Sequence, residues 1–389
     1  VNTLPFKRTE VIERLVVFQP PGVDSHNLHL YDEEGHSVPF TVVSKRYVER
    51  FWAVDYRGEL FSSRQGDLFR KYQEHFGDRI VRTEADRDEA DCFLTVQFVA
   101  RDLPALGHAN YHFRTETGGD GVETRHRPPS VWAVKTADNT LENDLVRVKL
   151  HHNGTLDIED KRTGTTHAGL NLYEDTEDKG DEYDYSPAEN SLTLTSADVY
   201  GDIRVVEDSG LSARLEVRYD LHLPSSLEKN RDHRRPDTAA CRTTTRVGLR
   251  LGSPVVDVEV EFDNRARDHR LRALFPTTIV TDTVVTDGHF LISERPIEKP
   301  AGAGWVQPPP TTYPQREYSL VSDGRTGLAV LNRGLPEVEA VRNESGKATL
   351  ALTLLRCVGW LSRDDFDSRN RGNAGPTIHT PDAQCLGRS

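Results

Sequence analysis

The chain has 389 residues, of which 36% are apolar and 29% charged, and its formal net charge is −13. That is a globular composition, long enough for two domains of ordinary size. The charge argues against a nucleic-acid partner, because no basic stripe is present to neutralise phosphates, and it disfavours an anionic membrane surface.

No apolar run reaches the roughly 20 residues that a spanning helix requires, and the amino-terminal stretch lacks a signal peptide's apolar segment. The opening Val1-Asn2-Thr3 is abrupt, as in a piece of a longer polypeptide. Cys92, Cys241, Cys357 and Cys385 are scattered and form no CxxC pair, which points to a reduced, cytoplasmic protein. The acceptor triplets Asn153-Gly154-Thr155 and Asn343-Glu344-Ser345 then read as chance matches. Monomer and homo-oligomer both stay open.

Along the chain, strand signals dominate. Val11 to Phe18 shows β-branched enrichment; Gln65 to Phe76 then predicts the one helix of note, with Leu68, Tyr72 and Phe76 on one face and Gly77 to stop it. Phe93 to Ala100 is a further strand. Thr115 to Pro129 is rich in Gly, Pro and charge, so a loop or linker is expected there, with a domain boundary near residue 125. Strands follow at Val146 to Leu150, Leu192 to Val199, Ile203 to Val206, Leu215 to Leu223 and Thr243 to Leu251. Val255 to Phe262 alternates most cleanly, with Val256, Val258 and Val260 on one face. Thr277 to Val285, Leu328 to Leu331 and Ala348 to Leu355 complete the series, and Pro308-Pro309-Pro310 stiffen a loop before the last two. Turn signals such as His152-Asn153-Gly154 and Asn332-Arg333-Gly334 lie between strands, with no βα alternation. An all-β sandwich architecture is predicted.

Three segments could carry chemistry. The first, Glu174 to Glu189, spaces Asp175, Asp178, Asp181 and Asp184 three residues apart beside Tyr183 and Tyr185. It reads as a solvated acidic loop, as a calcium site without EF-hand spacing, or as a loop aimed at a sugar. In the last case carboxylates accept hydroxyl hydrogen bonds and a tyrosine ring covers a pyranose face. The second, Asp263 to Arg272, is an ion-paired strand end or a site for an anionic group. The third, Arg363 to Gln384, is a Gly- and Pro-bearing surface loop, either plain or functional. His151 and His152 are adjacent, so on a strand they point to opposite faces and make poor joint ligands. No HExxH, Cys/His cluster, GxSxG elbow, phosphate loop or dinucleotide fingerprint exists. Local chemistry alone assigns no activity.

Read in order, the segments are more specific. Asn2-Thr3-Leu4-Pro5-Phe6-Lys7-Arg8, Asp102 to Gly107 (DLPALG), Leu141 to Gly164, Gly180 to Tyr185, Arg267 to Arg272, Gly327 to Pro336 and Thr380 to Gly387 resemble the carboxy-terminal β part of glycoside hydrolase family 38, the α-mannosidase family. Each match is weak alone; their common order is specific. The resemblance covers nearly the whole chain and is weakest between residues 44 and 95.

It implies a β-sandwich middle domain over residues 1–125. A large galactose-mutarotase-like β supersandwich over 126–389 follows, with its final strands expected beyond Ser389. It also implies retaining hydrolysis of α-mannosides by a parent polypeptide whose zinc ligands and aspartate nucleophile lie in an amino-terminal catalytic domain. On this reading the segment alone is inactive, contains no catalytic residue or metal ligand, and has that catalytic domain and an α-mannoside as partners. The Gly180 to Pro187 motif places Tyr183 where the family lines its mannose site, with Asp181 and Tyr185 as neighbours. Asp184 departs from the pattern, standing where related eukaryotic sequences carry an apolar residue. An arginine from the 356 to 371 region, Arg356 or Arg363, is also expected at the pocket. Free mannosides, mannosyl-oligosaccharides and mannosylglycerate remain open as substrates. A free-standing carbohydrate-binding sandwich and a calcium-stabilised structural module are the competing readings.

Overall fold

A computed structural model describes residues 1–18, 28–49, 90–115, 134–305, 307–365, 369 and 372–389. The helix expected at Gln65 to Phe76 and the boundary near residue 125 lie outside the described residues. Within them the architecture is all-β, and the strands pair antiparallel.

Before residue 116, Ala90–Leu103 is the centre of a three-stranded sheet, flanked by Arg8–Phe18 and Phe40–Glu49. The pair Leu28–Asp32 and Tyr111–Thr115 covers one face. Side chains alternate across a strand, so Leu94, Val96, Phe98 and Ala100 all turn toward that pair and are buried. Phe113 closes the core edge-on to Phe18 and Phe40, with centroids 5.8 and 5.5 Å away. The opposite face of the same strand carries Gln97, which is buried against the rest of the molecule. Its Nε2 donates to Glu13 at 2.6 Å and to Ser212 at 2.8 Å, and its Oε1 accepts from Ser209 at 2.6 Å.

From residue 134 onward the strands build four sheets. Lys135–Ala137, Thr140–Glu142, Val146–Leu150, Leu156–Asp160 and Thr165–Leu170 form a meander. Asp202–Asp208, Ser212–Pro224, Thr238–Arg250, Val256–Asn264 and Gly387–Arg388 form a second sheet. A six-stranded sheet runs Leu194–Thr195, Leu172–Glu177, His269–Val280, Lys347–Cys357, Glu337–Arg342, Tyr313–Pro314. A four-stranded sheet, Ile292–Pro296, Thr283–Asp287, Tyr318–Ser322, Gly327–Leu331, completes the supersandwich.

Two apolar cores lie between these layers, and His269–Val280 runs through both. Leu271 and Ala273 enter the larger core, Ile279 the smaller, and Phe275 packs on each. Tyr173 is buried in the larger core with its hydroxyl 2.8 Å from Thr245, and burial pushes its phenol up to about 12.

The structure corrects three strand expectations. Thr277 to Val285 is two strands, because the chain bends at Thr281-Asp282 and passes from the six-stranded sheet to the four-stranded one. Of Leu192 to Val199 only Leu194–Thr195 is extended, and Ser196–Asp198 turns into a 3-10 helix with Thr195 as its N-cap. Val258 keeps its predicted phase but is 39% exposed, since Val256–Asn264 meets another strand on its outer side only at Asp263 and Asn264. The polar face of that sheet carries a row across four strands, Arg204, Glu216, Arg246, Glu259, in alternating charge.

Candidate functional site

The acidic segment starts as a strand and ends as a braced loop. Leu172–Glu177 pairs with His269–Val280, so Asp175 and Glu177 are ladder residues and not loop residues. Acidic side chains are poor strand formers, yet these two are buried and fully engaged. Asp175 takes Arg234 on one oxygen and His269 Nδ1 at 2.5 Å on the other, with Nε2 of His269 3.1 Å from Asn264 Oδ1. Glu177 accepts the N–H groups of Ala188 and Leu192 at 3.2 and 3.0 Å. This is not a solvated acidic run: burial of these carboxylates requires such donors.

Beyond the strand, Asp178 and Asp181 organise the loop. Asp178 Oδ1 accepts the N–H groups of Gly180 and Ser186, and Oδ2 receives Arg356 Nε and Nη2 at 2.9 and 2.8 Å. Burial works against the Arg356 charge, but the adjoining Asp178 carboxylate holds its pKa above the ordinary value. Gly180 lies where a Cβ would fall 2.0 Å from the Asp184 carbonyl, so the turn closes only around glycine.

Asp181 is fully buried. Its Oδ1 accepts the N–H groups of Tyr183 and Asp184, both at 3.0 Å, and its Oδ2 accepts the Arg363 N–H at 2.8 Å. Arg369 Nη2 then bridges both oxygens at 2.6 and 2.7 Å, while Arg369 Nε donates to Asp184 at 2.6 Å.

The product of this bracing is a presented ring. Tyr183 stands at the apex, 54% exposed, with the Arg369 guanidinium carbon 5.9 Å from its centroid. A side chain on Gly375 would meet its hydroxyl at 3.1 Å, so Gly375 forms a wall beside the phenol. Gln307 Nε2 donates to both Asp184 oxygens at 3.0 and 3.1 Å, which ties a further loop to the same place.

The other expected site residues lie differently. Tyr185 turns inward, donates to Thr176 at 3.2 Å and sits 3.4 Å beneath the Arg270 guanidinium, and burial raises its phenol. Arg356 is spent on Asp178 and the Asp181 carbonyl. Arg363 grips Asp365 with Nε and Nη2 at 2.7 and 2.5 Å and lies over Trp360 at 4.8 Å, with Asp365 holding its pKa up. Tyr183 is therefore exposed while Asp181, Tyr185 and Arg356 are turned inward, and Arg363 reaches the loop only through its backbone N–H on Asp181.

Arg369 and Gln307 were missed as individuals. Nothing local marks them, since their partners are 185 and 123 residues away. Two arginines of the basic segment are ion-paired, Arg265 on Asp263 and Arg272 on Glu174 and Glu339. Arg267 is exposed, and Arg270 is buried with its Nε and Nη1 making no hydrogen bond.

The oxygens of Asp178 and Asp181 are directed at N–H and guanidinium donors. This donor set does not fit a zinc ion, and no metal chemistry is assigned to it. Among the described residues, His and carboxylate atoms gather only at Asp32, Glu34 and His36, on an exposed turn.

Fold and site together define an antiparallel β supersandwich that presents a tyrosine on an ion-braced loop. The family description "Glycosyl hydrolases family 38 C-terminal domain" matches residues 141–373. This chain belongs to that family. A putative mannosylglycerate hydrolase of Halalkalibacterium halodurans is 32% identical over 265 residues, covering 64% of this chain and 28% of the relative. In fold, the chain is similar to a family 38 glycosyl hydrolase from Enterococcus faecalis, with TM-score 0.70 and 23% identity over 100% of this chain and 42% of that one. It is similar also to an α-mannosidase from Enterococcus faecalis V583, with TM-score 0.68 and 22% identity over 100% of this chain and 41% of that one. The chain thus spans well under half the length of the proteins it matches. No helix among the described residues is long and apolar enough to cross a membrane.

Proposed function

We propose that this chain is the carboxy-terminal β portion of a retaining α-mannosidase and that it completes the wall of the sugar pocket. Residues 1–125 form its first domain and 126–389 the supersandwich. The observation that carries the reading is Tyr183, held half-exposed at the apex of a loop whose buried carboxylates, Asp178 and Asp181, are consumed in bracing it. A phenol so placed can donate to or accept from a mannose hydroxyl while its ring limits the pocket. Arg363 braces the loop through its backbone N–H on Asp181, and Asp181, Tyr185 and Arg356 act by positioning. The nucleophile and the zinc belong to an amino-terminal catalytic domain, and the four free cysteines favour a cytoplasmic location.

The test compares the 389-residue chain with the polypeptide that joins it to a family 38 catalytic domain, on a chromogenic α-mannoside with added zinc. Turnover is expected from the joined polypeptide only, and Tyr183→Phe there lowers kcat with the fold intact. Turnover by the segment alone, or unchanged kinetics in the variant, overturns the reading.

A further inference from the structure

The loop tied to Asp184 carries a second aromatic. Gln307 fixes the loop to the Tyr183 turn by donating to both Asp184 oxygens. Trp305 is two residues before it, so its Cα lies at most about 7 Å from that of Gln307. The loop around Trp305 is stiff. The Trp305 N–H closes a turn on the Gly302 carbonyl at 2.9 Å. Gly302 has φ +66°, and a Cβ there would lie 2.8 Å from Pro309 Cδ and 3.7 Å from Trp305 Cδ2. Only glycine suits that conformation and that space. Pro308, Pro309 and Pro310 follow, with φ set by their rings. The indole is nevertheless 55% exposed. A single exposed aromatic is ordinary on a protein surface; what sets Trp305 apart is its place two residues from the Gln307–Asp184 tie beside Tyr183.

From this arrangement we infer that Trp305 is a specificity-determining contact for the aglycone, stacking on a pyranose ring one or two sugars beyond the mannose at Tyr183. An indole face takes the C–H face of a sugar, and the polar groups needed to orient its hydroxyls stand alongside. Asp184 offers acceptor oxygens, and Gln307 Oε1 faces no donor among the described residues. Asp184 gains a role in this scheme. Its carboxylate anchors the Trp305 loop through Gln307 and is itself anchored by Arg369. The preferred substrates are then mannosyl-oligosaccharides, not conjugates with a small acid. Gln307 is a positioning residue, acting through the loop.

The inference rests on the α-mannosidase reading, and the experiment separates the two. In the joined polypeptide, kcat/KM is measured on α-mannosyl fluoride, α-mannobiose and α-mannosylglycerate for the parent, Trp305→Ala, Trp305→Phe, Gln307→Ala and Tyr183→Phe. Trp305→Ala is expected to lower the mannobiose-to-fluoride ratio about tenfold, chiefly through KM, as loss of one aromatic stack implies. Trp305→Phe restores most of that ratio, Gln307→Ala lowers it about threefold, and the mannosylglycerate-to-fluoride ratio moves less than twofold. Tyr183→Phe lowers kcat on all three substrates.

An unaltered mannobiose ratio overturns the inference while leaving the pocket role of Tyr183 standing. So does an equal loss on every substrate with a lowered Tm, which would make Trp305 a packing residue. If no α-mannoside is hydrolysed, the α-mannosidase reading fails, and a mannobiose titration of the 389-residue chain followed by indole emission decides Trp305 alone. A saturable change lost in Trp305→Ala upholds the contact, and a flat titration removes it.

Discussion

Arg369 reaches 188 residues back along the chain to hold Asp181, with Nη2 2.6 and 2.7 Å from the two carboxylate oxygens. Both side chains are removed from water, Asp181 completely and Arg369 nearly so. Breaking a buried pair from one side leaves a buried charge uncompensated, at a cost of about 3 to 5 kcal/mol. Arg369→Ala is expected to lose stability of that order in urea denaturation. Arg369→Lys recovers only part, because an ammonium cannot serve Asp181 and Asp184 with a planar fork. A loss within a few tenths of a kcal/mol would show that the three N–H groups on Asp181 suffice.

Glu142 makes stability depend on acid. It accepts Arg147 Nε at 2.9 Å and Lys161 Nζ at 2.6 Å, and these hydrogen bonds, Arg147 first, hold its carboxyl down to about 2. A folded pKa below the unfolded value stabilises fully above the unfolded pKa and is lost as pH falls through the folded one. The contribution is therefore complete near neutrality and fades from about pH 4.5 toward 2. Comparing Tm for the parent and Glu142→Gln from pH 7 down to pH 3 should show a gap that narrows with acid. A gap constant over that range contradicts the assignment.

Gln97 joins the small sandwich to the large one. Replacing it with alanine leaves the buried Ser212 hydroxyl, and the Glu13 and Glu207 carboxylates at its edge, short of a partner. A loss of about 1 to 3 kcal/mol is expected for an unsatisfied buried group. Denaturation followed through Phe and Tyr signals from both sandwiches would detect it, and an unaffected midpoint would mean that water enters the seam.

Cys385 is the thiol expected to react first. Hydrogen bonding from Cys357, the largest influence, holds Cys385 down to about 6, while Cys92, Cys241 and Cys357 are buried. Brief iodoacetamide treatment at pH 7 followed by peptide mass mapping should find the label on Cys385 ahead of the other three. Label spread evenly, or first on Cys92, would refute this.

Much of the strand content was legible because it depends on neighbours two residues apart. Val146–Leu150 has the bounds expected from its alternation, Lys347–Cys357 lies within two residues of its own, and Thr238–Arg250 begins five residues earlier than expected. Leu172–Glu177 was not legible as a strand. Its acidic residues argue for a loop until Arg234 and His269 are brought against Asp175 from 59 and 94 residues away. Thr277 to Val285 was joined across a change of sheet because Thr281-Asp282 carries no glycine or proline to mark the bend.

By itself, then, the sequence determined an all-β chain of family 38 type and singled out Tyr183, since period-two alternation and an ordered series of short motifs are local properties. Only the tertiary structure decided which charges face solvent. Asp178 and Asp181 are buried under arginines, Arg369 is the brace beneath Tyr183, and Gln307 brings Trp305 to the same loop. A carboxylate's partner is chosen by proximity in space, and that proximity exists only once the sheets have stacked.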